Sequence, residues 1–596
     1  MSSPFAARLD ALRRVLAEAG VDGLYLPRTD EQGNEYLPPS AERVAWLSGF
    51  TGSFAVLVVL PGAAAVFSDG RYVEQLEREV DAALFERHEV NATAPARWLE
   101  ERLRPGVRLG VDPFLLGRAE YERLAKLARG KGAELVFLAP NPVDRIWTDR
   151  PPPPSSPAFS HPERFAGESS LSKRRRIAEE LRTKGADHLF VAAADCVAWL
   201  LNVRGRDVPF NPLCLSYALL DADGRCRWFV DPRKLGPDVV LEEGIAVEPV
   251  ERLPDALDEL GLARCAVLVD PAEVHLGFLD RLERAGARLI EADDPIRKAK
   301  AIKNPVEIEG AIAAQRRDGA AVVRFLAWLE REGLAAGIDE LRAADRLELE
   351  RAKDPLFEGP SFPTISAHGP NAALPHYRPS PATNRRLEPG TVYLVDSGAQ
   401  YRDATTDITR TVALGEVARE IKERFTLVLK GHIAVAEAVF PKGTRGGQID
   451  CLARLPLWSR GLDYDHGTGH GVGSFLCVHE GPQRIAKTTP GAELEPGMIV
   501  SDEPGYYRPG AYGIRTENLL LVEARGKPEG GERELLGFRT LTLCPIDRTL
   551  LVPALLTAEE RLWLDGYHAR VFAELAPLLD DPADRAWLER ACAPLR

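Results

Sequence analysis

Two short apolar segments, TVYLVDSG at residues 391–398 and DITRTVAL at residues 407–414, predict a β-hairpin with an acid on each strand. The first segment runs into Asp396, and the second begins with Asp407. In a symmetric hairpin these two aspartates face each other across the strands. Facing like charges destabilise a sheet, and a divalent metal ion between them would remove that penalty. The alternative interpretation is two separate surface acids at strand ends.

Two further acids lie in apolar segments later in the chain. MIVSDEPGYY, at 498–507, predicts a strand that ends in Glu503 before a Pro-Gly turn, and YGIRTENLLLV, at 512–522, predicts a strand with Glu517 inside it. A glutamate within such a strand is unusual unless it is paired or ligated. Arg515 lies two residues earlier and shares the face of Glu517, so a same-face ion pair is the alternative to a metal ligand.

Histidines are concentrated in the same region, where six of the eleven fall between residues 368 and 479. Two of them, His466 and His470, lie in HGTGHGVG at 466–473. Their spacing is similar to the helical zinc motif H-E-x-x-H, but the glutamate is missing and four glycines disfavour a helix. We expect an extended or turn segment that brings a backbone close to a site. A hydrogen-bonded structural role is the alternative for each histidine.

Length and composition indicate a large soluble protein. A chain of 596 residues predicts two to four domains. A formal net charge of −13 argues against a general nucleic-acid binder, because phosphate binding needs a basic surface. The N-terminal residues 1–20 predict an amphipathic helix without a signal-peptide core. The most apolar stretch, 54–67, is broken by Pro61 and Gly62 and is shorter than the ~20 residues that span a bilayer, so no membrane segment is expected.

The cysteine pattern favours a reducing compartment. None of the eight cysteines forms a C-x-x-C pair. In a chain of this size the pattern indicates buried reduced thiols and not a disulfide framework or a zinc knuckle. The cytoplasm is therefore the expected location.

The chain shows a linker and a weak internal repeat. The run PPPP at 151–154 cannot form a helix or a central strand, so it marks a domain boundary. The segments on either side share an order of strand, short helix with a buried tryptophan, and hairpin, which indicates two related α/β units. The matched pieces are 21–26 with 186–191, 44–47 with 197–200, 54–60 with 215–220, and 67–71 with 229–233.

A second boundary is expected near residues 293–303. Pro305, followed by Glu307 and Glu309, predicts the start of a long amphipathic helix, because proline and acids suit a helix N-terminus. The remaining residues form the largest domain, and the stretch from Leu556 again predicts helices. The expected domains are 1–155, 156–297 and 298–596, the last with a C-terminal helical extension.

Six motifs in order resemble the Xaa-Pro aminopeptidases of the pita-bread metallopeptidases. They are VDSGAQY at 395–401, TTDITRT at 405–411, HGTGHGVGSF at 466–475, VHEGP at 478–482, SDEPGYY at 501–507 and GIRTEN at 513–518. FPTISAHGPNAALPHY at 362–377 and the segments 30–53 and 68–75 look like the long, three-domain form. The resemblance implies an α/β (α+β) chain with two creatinase-like N-terminal domains and a C-terminal pita-bread catalytic domain.

The resemblance also implies a two-metal site and a peptide substrate. Asp396 would bind one metal ion, Asp407 and Glu517 would bridge both, and His470 and Glu503 would complete the second. This oxygen-rich set favours manganese, with zinc or cobalt as alternatives. Two metal ions would lower the pKa of a shared water.

The resemblance gives further residues their expected roles in peptide hydrolysis. Glu503 would accept the proton of the attacking water, and His376 and His479 would bind substrate and act in catalysis. His466, Tyr507 and Arg515 match substrate-binding or flanking positions, for which a structural role is the alternative. The implied reaction removes the residue before a penultimate proline, and the long forms are often homodimers.

Other functions compete with this interpretation. A prolidase would cleave only X-Pro dipeptides, but the N-terminal segments and HGTGHGVGSF fit the long aminopeptidase form better. Methionine aminopeptidases lack the two N-terminal domains. A catalytically inactive pita-bread protein that binds peptides, or a metal-free creatinase-like hydrolase, is disfavoured because all five expected ligands are present.

Overall fold

The computed structural model describes residues 3–487 and 491–595, which form two compact units. The first unit contains the chain up to His161 together with Glu168–Ile296, and the second contains Pro162–Gly167 together with the chain from Arg297 onward. Met1 and Ser2, which the predicted N-terminal helix includes, lie outside the described residues.

The helices are, in chain order, α1 (Pro4–Glu18), α2 (Arg43–Ser48), α3 (Val73–Glu79), α4 (Pro95–Arg102), α5 (Arg118–Gly130), α6 (Pro142–Ile146), α7 (Glu163–Ala166), α8 (Ser170–Thr183), α9 (Ala194–Leu201), α10 (Leu253–Leu262), α11 (Leu276–Ala285), α12 (Pro295–Ala301), α13 (Pro305–Trp328), α14 (Glu340–Arg351), α15 (Arg419–Ala436), α16 (Gly446–Trp458), α17 (Ala558–Leu575) and α18 (Pro582–Ala591).

The strands are β1 (Gly23–Pro27), β2 (Val56–Leu60), β3 (Ala63–Ser68), β4 (Glu86–Glu89), β5 (Arg108–Val111), β6 (Glu134–Phe137), β7 (Phe159–Ser160), β8 (His188–Val191), β9 (Val203–Arg204), β10 (Tyr217–Asp221), β11 (Cys226–Phe229), β12 (Ile245–Glu248), β13 (Ala266–Val269), β14 (Arg288–Glu291), β15 (Phe357–Pro360), β16 (Ile365–His368), β17 (Thr391–Ser397), β18 (Ala399–Tyr401), β19 (Ala404–Thr405), β20 (Ile408–Leu414), β21 (Val439–Pro441), β22 (Gly469–Gly471), β23 (Glu480–Ile485), β24 (Ile499–Asp502), β25 (Gly505–Arg508), β26 (Tyr512–Arg515), β27 (Asn518–Gly526) and β28 (Leu535–Thr540).

The first unit contains two six-stranded sheets with the same topology. Their orders are β4-β3-β2-β1-β5-β6 and β12-β11-β10-β8-β13-β14, and corresponding neighbours run in the same relative directions. The predicted repeat is therefore present in the fold. The prediction of a buried tryptophan in both copies was wrong for one of them, because Trp199 is buried whereas Trp46 is only half-buried.

Alternation along β2 shows how a sheet of the first unit is covered. The strand reads VLVVL and is buried along its whole length. Leu57 and Val59 pack in a cluster with α1, α2 and α3, whereas Val58 packs with α4 and α5 in a second cluster. Successive side chains of a strand point to opposite faces, so helices cover the sheet on both sides.

The second unit begins its main body with α13, as the sequence predicts. The Asn304 side chain caps this 24-residue helix by accepting from the amides of Val306 and Glu307. The Glu307 carboxylate in turn accepts from the backbone amide of Asn304. Pro305 occupies the first helical position. This capping box ties down amides that the helix itself leaves unsatisfied.

The five expected metal ligands lie on strands of the second unit or directly beside their ends. The largest sheet has the order β21-β28-β27-β24-β22-β23, and a separate sheet has the order β16-β17-β20. Helices α15 and α16 pack side by side, and α15 also contacts β24 and β28. The predicted mixture of helices and sheets is confirmed. None of the helices in the described part of the chain is long and apolar enough to cross a membrane.

The hairpin of β17 and β20 has a different register from the one predicted. Asp396 lies opposite Thr409 and not opposite Asp407. The connector continues the ladder, because Tyr401 pairs with Ala404 and only two residues form the turn. The turn is thus centred one residue later than a symmetric hairpin between the aspartates requires. Asp407 is offset by two residues from the facing position, which keeps it on the same face as Thr409.

The predicted strand around Glu517 is also wrong. The segment 512–522 divides into β26, which ends at Arg515, and β27, which begins at Asn518. Glu517 lies in the break, and its amide donates to the Thr409 carbonyl at 3.2 Å. The break places Glu517 at the junction of two different sheets, because β26 pairs with β25 and β27 belongs to the largest sheet.

Glycines around His470 permit a close approach of three strands. The expected extended segment is present as β22, between β24 and β23. A Cβ atom on Gly469 would lie 1.9 Å from the Ser501 carbonyl oxygen, and one on Gly471 would lie 2.3 Å from the Glu480 carbonyl oxygen. Only a residue without a side chain fits these two positions.

We expect Gly469→Ala to lower the free energy of unfolding of the metal-free protein by about 1–3 kcal/mol, because β22 and β24 must separate to accept the methyl group. Urea-induced unfolding measures this change. Gly566→Ala is the control: Gly566 is exposed on α17 with open space around it, so alanine there should stabilise by up to about 1 kcal/mol. Equal effects of the two substitutions would contradict the close-approach argument.

Candidate metal centre

Five predicted ligand residues converge from separate elements of the second unit. Asp396 is on β17, Asp407 precedes β20, His470 is on β22, Glu503 follows β24, and Glu517 lies between β26 and β27. One ligand atom from each of Asp407, His470 and Glu517 lies within 4.8 Å of the other two. The Nε2 atom of His470 is 3.5 Å from an oxygen of Asp407 and 3.4 Å from an oxygen of Glu503.

Burial and mutual repulsion perturb these groups. Burial raises the pKa of Asp396 to about 7, with the charges of Asp407 and Glu503 adding to the effect and Arg515 opposing it. Burial and the charges of the other three carboxylates raise the pKa of Glu517 well above its usual range. Burial alone would lower the pKa of His470, but its hydrogen bond with Asp407 and the charge of Glu503 raise it to about 9. Four acids share one buried volume.

The site fits a pair of divalent metal ions. Among the described residues, Oδ1 of Asp396 is buried and has no hydrogen-bond partner, while Oδ2 accepts from Arg515 at 2.6 Å. A buried carboxylate oxygen without a partner is costly unless a cation lies beside it. Four carboxylates and one imidazole are the donor set that a hard or borderline divalent ion prefers. The cluster can therefore hold metal ions that replace the missing interactions.

Arg515 links Asp396 to other predicted site residues. Its guanidinium donates to Asp396 and to the Tyr507 hydroxyl, and the Tyr507 hydroxyl is 2.7 Å from Nε2 of His466. Arg515 is 2% exposed, so these hydrogen bonds are shielded from water. The same-face pairing of Arg515 with Glu517, expected as an alternative, is replaced by this pairing with Asp396. His466, Tyr507 and Arg515 thus form a chain that ends at the carboxylate cluster.

Of the remaining two predicted histidines, His479 contacts a residue of the cluster, and His376 follows a residue that is bonded to Arg515. The ring of His479 meets that of His470 edge-on, with centroids 4.4 Å apart. Glu480, the next residue, is buried and paired with Lys300 and Lys303. His376 is half-buried and follows Pro375, whose carbonyl oxygen accepts from Arg515 at 3.1 Å.

Two hydroxyl residues of the site do not stand out in the sequence. Thr409 donates to an oxygen of Glu517 at 2.7 Å, and Ser501 donates to an oxygen of Glu503 at 3.2 Å. Thr409 lies two residues after Asp407 and Ser501 two residues before Glu503, and a two-residue spacing on a strand places side chains on one face. A search for hydroxyls two positions from each candidate acid would have found both.

Comparison with known proteins assigns nearly the whole chain to recognised families. Residues 309–524 match the model of metallopeptidase family M24, and residues 534–595 match the C-terminal region of that peptidase. Residues 8–145 and 149–307 each match the creatinase/prolidase N-terminal domain. The carboxylate cluster lies within the first of these matches, so the chain is an M24 metallopeptidase in class.

Full-length relatives narrow the assignment. Proteins named probable Xaa-Pro aminopeptidase P are 39% identical in Neosartorya fischeri and 41% identical in Laccaria bicolor; each match covers 99% of this chain, and 92% and 93% of the relative, respectively. An X-prolyl aminopeptidase from Caenorhabditis elegans, described as a cytosolic enzyme with a di-nuclear active site, superposes with a TM-score of 0.93 at 34% identity over 100% of both chains. The chain belongs to the Xaa-Pro aminopeptidases.

A prolidase gives a weaker match. The prolidase of Pyrococcus horikoshii is 26% identical with a TM-score of 0.50. The match covers 99% of the prolidase chain but only 63% of this chain. The additional length of this chain is matched by the aminopeptidases and not by that prolidase.

We expect Glu517→Gln to abolish the stabilisation of the protein by metal ions without destabilising the metal-free form. Burial and the other three acids raise the pKa of Glu517 well above its usual range, so the neutral glutamine amide resembles the side chain that the metal-free protein already favours. The wild type should gain about 2.7 kcal/mol at a metal concentration 100 times Kd. Thermal unfolding after chelation, with and without Mn2+, measures both effects.

Glu523→Gln is the matched control, because Glu523 is on β27, the strand that follows Glu517, and its side chain is one-third exposed. It should keep the wild-type response to metal. A Glu517→Gln protein that Mn2+ stabilises as much as it stabilises the wild type would contradict the metal site.

Proposed function

We propose that the protein hydrolyses the peptide bond between an N-terminal residue and a penultimate proline, using two divalent metal ions held by Asp396, Asp407, His470, Glu503 and Glu517. The convergence of these five side chains carries the proposal. Relatives of the same length and fold are Xaa-Pro aminopeptidases, and one is described as dinuclear. An inactive relative has no need to keep four repelling carboxylates together, because their repulsion lowers stability.

When bound, the metal ions supply Lewis acidity that lowers the pKa of a water and stabilises negative charge on the scissile carbonyl oxygen. The exposure of the ligands indicates where substrate arrives. The side chains of Glu503 and His470 are each 18% exposed, whereas that of Asp407 is 6% exposed and that of Arg515 only 2%. Glu503 thus lies on the open side, where its carboxylate can accept a proton from water.

Two histidines are placed to act on the substrate. His479 packs edge-on against His470, on the half-exposed side of the cluster. Its ring is therefore in position to donate a hydrogen bond to a substrate bound beside His470. The segment of His376 is held at its Pro375 carbonyl by Arg515. We assign both histidines to substrate binding and to proton transfer towards the leaving nitrogen.

An aromatic group offers a surface for the proline ring. The ring of His466 lies 4.9 Å from that of Tyr464 and 5.3 Å from that of Tyr507. Prolyl peptides present an apolar ring and no amide hydrogen, so an aromatic wall suits them better than a backbone acceptor. We assign His466 and Tyr507 to this subsite, with Arg515 holding Tyr507 in place.

Several finer assignments belong to the same proposal. We propose manganese as the native metal because four of the five ligands supply oxygen, with zinc and cobalt as the alternatives. We propose a cytoplasmic location, in keeping with eight cysteines that are all free thiols in the described structure. We also propose three domains, at 1–155, 156–297 and 298–596, with the last as the catalytic one.

Chelated protein should release the first residue of an X-Pro-Pro peptide only after Mn2+ is restored. Glu503→Ala should lower kcat by at least about 100-fold, since it removes the proton acceptor and one ligand. Chromatographic detection of the released amino acid measures both. Glu495→Ala is the control, because Glu495 belongs to the same unit, is not one of the five ligands and pairs with the exposed Lys298.

A second substrate separates the aminopeptidase from a prolidase. An X-Pro dipeptide offered beside X-Pro-Pro should be the poorer substrate if the enzyme is an aminopeptidase. Cleavage of the dipeptide alone would establish a prolidase. Absence of cleavage with any divalent metal, in protein shown to be folded, would favour an inactive peptide-binding protein.

We propose that the protein forms a homodimer, and an apolar face of α16 supports this. Leu455 is 61% exposed, Trp458 is 44% exposed, and Cys451 lies one turn earlier on the same side. Large apolar side chains exposed together commonly mark interfaces. Trp458→Glu should convert a dimer into a monomer in sedimentation, whereas Leu262→Glu, at a position 81% exposed elsewhere in the chain, should not. A monomeric wild type would contradict the proposal.

A further inference from the structure

A buried histidine behind the metal centre has no part in the function described so far. His432 lies on α15 and is fully buried. Its Nδ1 atom is 3.0 Å from the Asp502 carboxylate and 3.1 Å from the Asp502 carbonyl oxygen. Its Nε2 atom is 3.0 Å from the amide nitrogen of Asn518. Both ring nitrogens therefore contact residues adjacent in sequence to expected metal ligands, Glu503 and Glu517.

Sheet register makes these two contacts equivalent. Asp502 and Asn518 lie opposite each other and are the last paired residues of β24 and β27. Beyond this pair, β24 continues into Glu503 and β27 is preceded by Glu517. Neighbouring residues of a strand point to opposite faces, so Asp502 and Asn518 face α15 while the two glutamates face the metal centre. The His432 ring therefore contacts both strands at the last residue pair before the two glutamates.

Arg410 determines how the hydrogen bonds are directed. Its guanidinium donates to the Glu517 carbonyl at 2.6 Å and to the side-chain oxygen of Asn518 at 2.8 Å. A guanidinium has no acceptor, so the oxygen of Asn518 must face Arg410 and its NH2 group must face His432. Nε2 of His432 is then the acceptor, and Nδ1 carries the hydrogen that Asp502 accepts. The Asp502 carbonyl oxygen accepts this hydrogen at 3.1 Å, and the side-chain amide of Asn518 has one consistent orientation.

We propose that His432 is a positioning residue of the metal centre, which fixes Asp502 and Asn518 and thereby the strand ends from which Glu503 and Glu517 reach the metal ions. The proposal rests on the proposed function in taking these glutamates as ligands. Residues that orient metal ligands from behind typically change metal affinity about 10–100-fold when replaced. His432 does so through two strands at once.

Binding of Co2+ to the chelated full-length protein, followed by its visible absorption, reads the site without hydrolysis. His432→Leu removes both hydrogen bonds and should weaken Co2+ binding about 10–100-fold. His432→Asn keeps a donor near the position of Nδ1, and His432→Gln can keep an acceptor near that of Nε2. Each of these should fall between the wild type and His432→Leu, with an absorption spectrum closer to the wild type.

His568→Leu is the matched control for losing a buried histidine. His568 is fully buried in the same unit, and its Nε2 accepts from the amide of Ile546, a residue of neither β24 nor β27. This variant should lose stability but bind Co2+ within about twofold of the wild type, because it leaves Asp502 and Asn518 in place. Equal losses of Co2+ affinity in the two leucine variants would reduce His432 to a structural role and overturn the proposal.

The outcomes separate this proposal from the proposed function. Wild-type Co2+ affinity and spectrum in His432→Leu would overturn the positioning role and leave the aminopeptidase assignment intact. A wild type that binds Co2+ but does not cleave X-Pro-Pro would overturn the assignment and leave the positioning role intact. If His432→Leu does not fold, wild-type binding by both His432→Asn and His432→Gln would overturn the proposal.

Discussion

Repulsion among four carboxylates is the constraint on which the second unit is built. Asp396, Asp407, Glu503 and Glu517 are brought together from four places in the chain, and burial raises the pKa of two of them. Coulomb energy grows as the local dielectric falls, so the fold alone holds these charges at a cost. Divalent ions reverse the sign of that energy. The free energy of metal binding therefore adds to the free energy of unfolding of the second unit.

The backbone around the cluster is arranged to bring the four acids together. Each glutamate leaves its strand just beyond the last ladder pair, where the chain is free to turn out of the sheet. Glycines flanking His470 let three strands approach more closely than side chains would permit. Arg515 offers one positive charge to Asp396, too little to balance four acids but enough to set the direction of one carboxylate.

Much of this could be predicted from the sequence, and the failures have physical causes. The acids at Asp396, Asp407 and Glu503 are visible because each interrupts an apolar run at its end. The predicted register of the hairpin was wrong because local pairing of Tyr401 with Ala404 sets the turn at 402–403. The positions of the two aspartates do not encode that pairing. Glu517 was placed inside a strand because a break between two strands leaves no mark in an apolar pattern. The position of Thr409 two residues after Asp407 is visible in the sequence, but its pairing with Glu517 and that of His432 with Asp502 join residues about 70 to 110 positions apart, which one sequence cannot reveal.

The short helix α7 shows that the catalytic half of the molecule is not a continuous stretch of chain. Residues Pro162–Gly167 belong to the second unit although the chain on both sides belongs to the first. The carbonyl of Ala166 accepts from the side chain of Asn304, the same residue that caps α13. A gene fragment beginning at Arg297 would therefore encode a second unit that lacks the Ala166 carbonyl, the acceptor for the Asn304 side chain at the start of α13. A fragment intended to keep the second unit whole must therefore include residues 162–167.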